Sequence, residues 1–102
     1  DIFALEEELR EQAEKLSYRL KEYGEFGKTV TLKIRYANFL TYTRAKTLKN
    51  PTNKTEEILN AAMENFRNLK KKDEVRLIGI QVSSITKSNI VQLTFNDMEK
   101  YD

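Results

Sequence analysis

Lys33, Arg35, Arg44 and Lys46 lie among Thr31, Thr43 and Thr47 in the stretch KTVTLKIRYANFLTYTRAKTL, which runs from Lys28 to Leu48. No carboxylate occurs anywhere from Phe26 to Thr55. Cationic nitrogens neutralise phosphate oxygens, and hydroxyls and backbone amides donate hydrogen bonds to them. The combination therefore suits a phosphate backbone held in place without its sequence being read. Residue types alone leave a second reading open: a charged, solvated sheet face that keeps the sheet edges from pairing with other chains. Catalytic chemistry is poorly served. The chain has no histidine and no cysteine, which removes the commonest general base, thiol nucleophiles and the usual zinc ligands. Ser83 and Ser84 have no base partner in the sequence. The carboxylates fall on helix faces or at the chain ends, with no cluster to hold divalent ions, and Gly24 and Gly27 do not form a phosphate loop. The chain is expected to be non-catalytic, with no metal site and no cofactor of its own.

These residues need a scaffold, and 102 residues supply one domain with a single core. The lack of cysteine fits a reducing, cytoplasmic setting. No apolar run approaches the roughly 20 residues of a bilayer span, so no membrane association is expected. The first residue is Asp1 rather than methionine, which suggests a piece of a longer protein. Net charge is only +2, but it is unevenly spread: residues 1–22 carry −3 and residues 23–49 carry +5.

Residues 2–23 are predicted to form a helix, with Ile2, Leu5, Leu9, Ala13, Leu16, Leu20 and Tyr23 making one apolar stripe at steps of three and four. Asp1 suits its N-cap, Gly24 supplies a left-handed stop, and Gly27 closes the loop. In the next run Val30, Leu32 and Ile34 alternate with Thr31, Lys33 and Arg35, as in a strand with one buried and one basic face. Ala37 to Leu40 form the turn of an antiparallel hairpin. Its second strand sets Thr41, Thr43, Ala45 and Thr47 against Tyr42, Arg44, Lys46 and Leu48. The segment from Lys49 to Thr52 breaks the pattern. A second helix is predicted over about 54–69, capped by Asn53 with Glu56 or by Thr52 or Thr55, with Ile58, Ala62, Phe66 and Leu69 along its stripe. Lys70 to Lys72 close it. Val75 to Ser83 is almost continuously apolar and reads as a central strand buried on both faces, with Gly79 allowing close approach of a helix. The order helix-strand-strand-helix-strand implies an α+β fold, an antiparallel sheet with two helices on one face.

The blocks GKTVTLKIRYANFLTYTRAKTL, NPTNKTEEI and VRLIGIQVSSI, in this order, resemble the little-finger domain of bacterial Y-family translesion DNA polymerases of the polymerase IV type, the impB/mucB/samB family. The resemblance runs from the first helix to about Ile85. It implies a non-catalytic domain that lies against the primer–template duplex and holds its backbone. The parent chain would be a DNA-directed DNA polymerase using magnesium in domains absent here. On this resemblance the DNA-contacting residues are Lys33, Arg35, Tyr42, Thr43, Arg44, Lys46 and Thr47, joined by Ser83 and Ser84. Tyr42 either packs at the sheet edge or lies beneath the DNA backbone.

Residues 1–88 would form this domain and residues 89–102 a tail. Within the tail, Gln92, Leu93 and Phe95 resemble the segment by which such polymerases dock into the sliding clamp, although the chain passes directly to Asn96-Asp97 without a further apolar residue. A terminal strand over Asn89 to Phe95 is the other reading. The family domain ordinarily opens with a strand before its first helix, and this chain lacks it. In a ferredoxin-like strand order the gap would be an inner one, filled by the Asn89–Phe95 segment or by a strand exchanged in a homodimer. The expected function is duplex-DNA gripping within a lesion-bypass polymerase. The alternative is a protein-interaction module that recruits the clamp through its tail.

Overall fold

The computed structural model describes residues 1–70 and 73–87. It contains α1 (Ile2–Glu22), β1 (Phe26–Tyr36), β2 (Thr41–Thr52), α2 (Thr55–Leu69) and β3 (Val75–Thr86), the α+β order expected from the sequence. Asp1 caps α1, its carboxylate accepting from the Phe3 amide at 2.9 Å. The helix stops where expected: Gly24 has φ 63°, and the Glu25 and Gly24 amides donate to the Leu20 and Lys21 carbonyls. This is the left-handed closure that satisfies the last free carbonyls of a helix. Both ends of the predicted stripe stay in solvent, with Ile2 and Tyr23 exposed, while Leu9, Ala13 and Leu20 are buried.

The three strands form one antiparallel sheet in the order β2-β1-β3. β1 is central, and its alternation behaves as read. Val30, Leu32, Ile34 and Tyr36 are buried against the helices with Leu9, Ala13, Ile58, Leu59, Ala62 and Leu69. Each fully buried aliphatic side chain contributes roughly 1.5–3 kcal/mol. Polar ties orient the layers. The Asn65 amide, buried inside α2, donates to the Val30 carbonyl at 3.1 Å, and the buried Ser17 hydroxyl donates to the Asn53 carbonyl at 2.6 Å.

Several expectations are corrected. β3 is an edge strand, not a central one, and none of its residues is fully buried; Leu77 and Ile85 are exposed. Gly79 does not admit a helix: on the open side of the sheet, opposite Lys33, its missing Cβ would meet, among the described residues, only the Gln12 Oε1 at 3.9 Å. Gly27 is the glycine that close packing demands, since a Cβ there would fall 2.0 Å from Val82 Cγ1, and it lies within β1 rather than in the preceding loop. β2 stays extended through Pro51 to Thr52, but its regular pairing with β1 ends at Thr29–Thr47 and resumes only at Gly27–Thr52. Proline is tolerated there because the strand is at an edge. The cap of α2 is neither Asn53 nor Thr55. Lys54 occupies that position without a side-chain bond, while the buried Thr52 hydroxyl accepts from the Lys54 amide at 3.0 Å and donates to Glu57.

The strand order is also not ferredoxin-like. β1 has a partner on each side, so the sheet has no inner gap for an exchanged or returning strand to fill. Among the described strands its edges are the outer sides of β2 and β3. On the β3 edge, Gln12 of α1 takes the place of a neighbouring strand: its amide nitrogen donates to the Ile78 carbonyl and its oxygen accepts from the Ile80 amide, both at 2.9 Å.

Candidate nucleic-acid interface

Directly paired residues of an antiparallel sheet point to the same side. The register therefore sorts Thr29 to Arg35 and their partners on β2 and β3 onto one face or the other. The side away from the helices carries four rows across the sheet: Thr47–Thr29–Ser83, Ala45–Thr31–Gln81, Thr43–Lys33–Gly79 and Thr41–Arg35–Leu77. Hydroxyls gather at one end. Thr29 Oγ1 lies 3.3 Å from both Thr47 Oγ1 and Ser84 Oγ, and Ser84 has a left-handed φ of 57°. Cations gather at the other end. Arg35 Nε donates to Thr41 Oγ1 at 3.0 Å, which orients its guanidinium, and Lys33 stands exposed beside it.

Lys33, Arg35, Thr43, Thr47 and Ser83 are thus brought onto one surface, with Ser84 at its margin. Arg44, Lys46 and Tyr42 are not. They pair with Leu32, Val30 and Ile34, which places them on the helix side of β2. There Lys46 forms an ion pair with Glu64 of α2. Arg44 is exposed and donates to the Thr43 carbonyl at 2.8 Å. Tyr42 is half-buried, its ring edge-on to Tyr36 with centroids 5.8 Å apart, which is the packed position of its two readings. The sequence reading missed Thr29, Thr41, Leu77 and Gln81. Thr29 and Thr41 share the alternation of Thr31 and Thr43 on their own strands, while Leu77 and Gln81 are placed only by the pairing register.

No acidic residue falls within any of the three strands, and none of the ion pairs among the described residues engages Lys33 or Arg35. Two cations on a face whose strands carry no acid leave a positive potential there for an anion to satisfy. Between them and β3 runs a shallow groove of about 300 Å³, lined by Lys33, Arg35, Thr41, Leu77, Ile78 and Gly79. The absent side chain of Gly79 keeps the groove open beside Lys33. Among the described residues no three histidine, cysteine or carboxylate side chains converge on a point that would hold a metal ion. The described residues therefore offer no magnesium site, and no chemical step is assigned to them. No described helix is long and apolar enough to cross a membrane. Gln92, Leu93 and Phe95 lie outside the described residues.

The fold and the face together define an α+β module whose helices cover one side of a sheet and whose other side, uncovered by the described residues, is basic and hydroxyl-bearing. The chain belongs to the impB/mucB/samB family, matching the family's C-terminal domain over residues 1–95. It is 41% identical over 78 residues to DNA polymerase IV of Fusobacterium nucleatum, covering 76% of this chain and 22% of that protein. Against DNA polymerase IV of Listeria monocytogenes the identity is 40% over 86 residues, covering 83% of this chain and 24% of the relative. Against DNA polymerase IV of Streptococcus mutans it is 36% over 88 residues, covering 85% and 24%. The chain spans about a quarter of the length of these relatives, and the resemblance read from its three sequence blocks is borne out.

Proposed function

We propose that this domain grips duplex DNA by its phosphate backbone across the open face of the sheet, as a non-catalytic part of a cytoplasmic lesion-bypass DNA polymerase. The observation that carries this reading is the face itself: Lys33 and Arg35 beside a field of threonine and serine hydroxyls, with no acid in any of the three strands. Lys33 and Arg35 neutralise phosphates, while Thr29, Thr31, Thr43, Thr47 and Ser83 donate hydrogen bonds that fix position. Such a grip tolerates many sequences and weakens with salt. The parent polymerase activity, with its magnesium, belongs to domains that this chain does not contain, as the short coverage of its polymerase relatives supports.

Salt-dependent binding of a primer–template duplex tests this directly. Each lost phosphate contact reduces the slope of log K against log salt by about 0.9. Lys33→Ala/Arg35→Ala together should flatten the slope by nearly two contacts, whereas Arg44→Ala/Lys46→Ala, on the other side of the sheet, should change it far less. Equal effects of the two pairs would refute the assignment of the duplex to the open face. A second reading, recruitment of a sliding clamp, rests on Gln92, Leu93 and Phe95. Deleting residues 90–102 separates the two, since DNA binding should survive and clamp binding should be lost.

A further inference from the structure

The hairpin tip holds a feature that a phosphate grip does not use. Phe39 has φ 68°, a left-handed backbone normally given to glycine, and is 68% exposed. The turn is tightly tied. The Phe39 amide donates to the Tyr36 carbonyl at 2.9 Å, the Leu40 amide to Asn38 Oδ1 at 3.0 Å, and the Ala37 amide to the Glu74 carbonyl at 2.7 Å. The last bond joins the tip to the entry of β3, where the Arg76 guanidinium carbon lies 5.2 Å from the centroid of the Phe39 ring. An exposed aromatic ring is therefore carried by a left-handed residue in a hydrogen-bonded turn, with a guanidinium over the ring. Leu77, also exposed, ends the last row of the open face, in which Arg35 stands, and exposed Leu40 directly precedes Thr41 of that row.

We propose that the Phe39–Arg76 corner is a stacking site for an unpaired nucleobase of DNA lying on the open face. This inference rests on the DNA-binding reading above. Charge selects the occupant. Lys33 and Arg35 lead toward the corner and draw a polyanion along the face. Asp73 and Glu74, just before β3, disfavour a phosphate at the corner itself but do not penalise an uncharged base. A base stacks on a phenyl ring irrespective of its identity, and a neighbouring arginine adds cation–π attraction. The backbone strain at Phe39 is consistent with a residue kept for its ring rather than for the turn.

The test compares a blunt duplex with the same duplex carrying a single-stranded overhang that contains a fluorescent adenine analogue. The intact chain should bind the overhang form about tenfold more tightly than the blunt form and quench the analogue. Phe39→Gly is the discriminating variant, because glycine relieves the left-handed backbone and preserves or raises the melting temperature while removing the ring. It should lose the overhang preference and the quenching and keep blunt-duplex binding unchanged. Retained preference and quenching in Phe39→Gly, or an equal loss on both duplexes, would overturn the stacking site. Blunt binding by the intact chain without any overhang preference refutes this inference alone. Absence of binding to either duplex refutes it together with the open-face reading.

Discussion

The two sides of β1 and β2 differ in what they do with positive charge. On the helix side, Lys46 is neutralised by Glu64 and Arg44 turns back onto its own strand, so their cations serve the packing of α2 and the edge. On the open side, Lys33 and Arg35 lie among hydroxyls with no carboxylate in the sheet to meet them. The positive charge that looks concentrated when counted along the hairpin is divided when counted across it. Charge density on a face, rather than along a sequence, decides what the surface binds.

The sharpest way to break this comparison uses two adjacent residues. Leu32 is fully buried under the helices and Lys33 is exposed on the other side. Leu32→Ala removes a core side chain and leaves a cavity, at a cost of about 3 kcal/mol. Lys33→Ala should leave stability within about 0.5 kcal/mol, as substitutions at solvated positions do. Urea unfolding of the two variants decides the matter, and comparable losses would show that the sheet has no such division.

Much of this division was legible in the sequence, and the reasons for the misses are specific. The ends of α1 followed from Asp1 and Gly24, and the phase of β1 followed from Val30, Leu32 and Ile34, because these depend only on near neighbours. The phase of β2 was also legible. Tyr42 and Leu48 share it with Arg44 and Lys46, and two large apolar residues in phase mark the side that packs. Treating all four hairpin cations as one surface overrode that alternation. The edge position of β3 could not be read in this way, because its apolar content mimics a strand covered on both faces while strand order depends on distant pairing. Thr52 is among the residues expected to cap α2, but its hydroxyl serves Lys54 and Glu57, a geometry that residue spacing does not encode.

A smaller effect sharpens the contrast between the two sheet edges. Gln12 bonds the outer side of β3 at Ile78 and Ile80 while also donating to Glu8 at 2.9 Å. Gln12→Ala leaves a backbone donor and acceptor at a partly buried edge to be satisfied by water alone. The expected loss is about 1 kcal/mol. Amide exchange at Ile80 should accelerate relative to Leu32 in central β1. Unchanged exchange at Ile80 would show that the side chain does not protect that edge.

The smallest expected effect has the opposite sign and probes the helix side. Tyr36 is 1% exposed, and its hydroxyl has no hydrogen-bond partner among the described residues. Burial, with lesser contributions from Tyr42 and Asp73, raises its pKa above the ordinary 10.0. As pH rises past that value the unfolded chain releases the phenolic proton before the folded one does. The folded state then binds more protons than the unfolded state, and stability falls with further rise in pH. Tyr36→Phe removes both an unsatisfied buried hydroxyl and this linkage while keeping the ring that packs on Tyr42. Stability near neutrality should be unchanged or higher by up to about 1 kcal/mol, and this residue's share of the alkaline loss should vanish. Thermal melts of both chains from neutral into alkaline solution provide the check. A clear destabilisation of Tyr36→Phe at neutral pH would mean that the hydroxyl is bonded after all, and that the packed side of the sheet is wetter than its burial indicates.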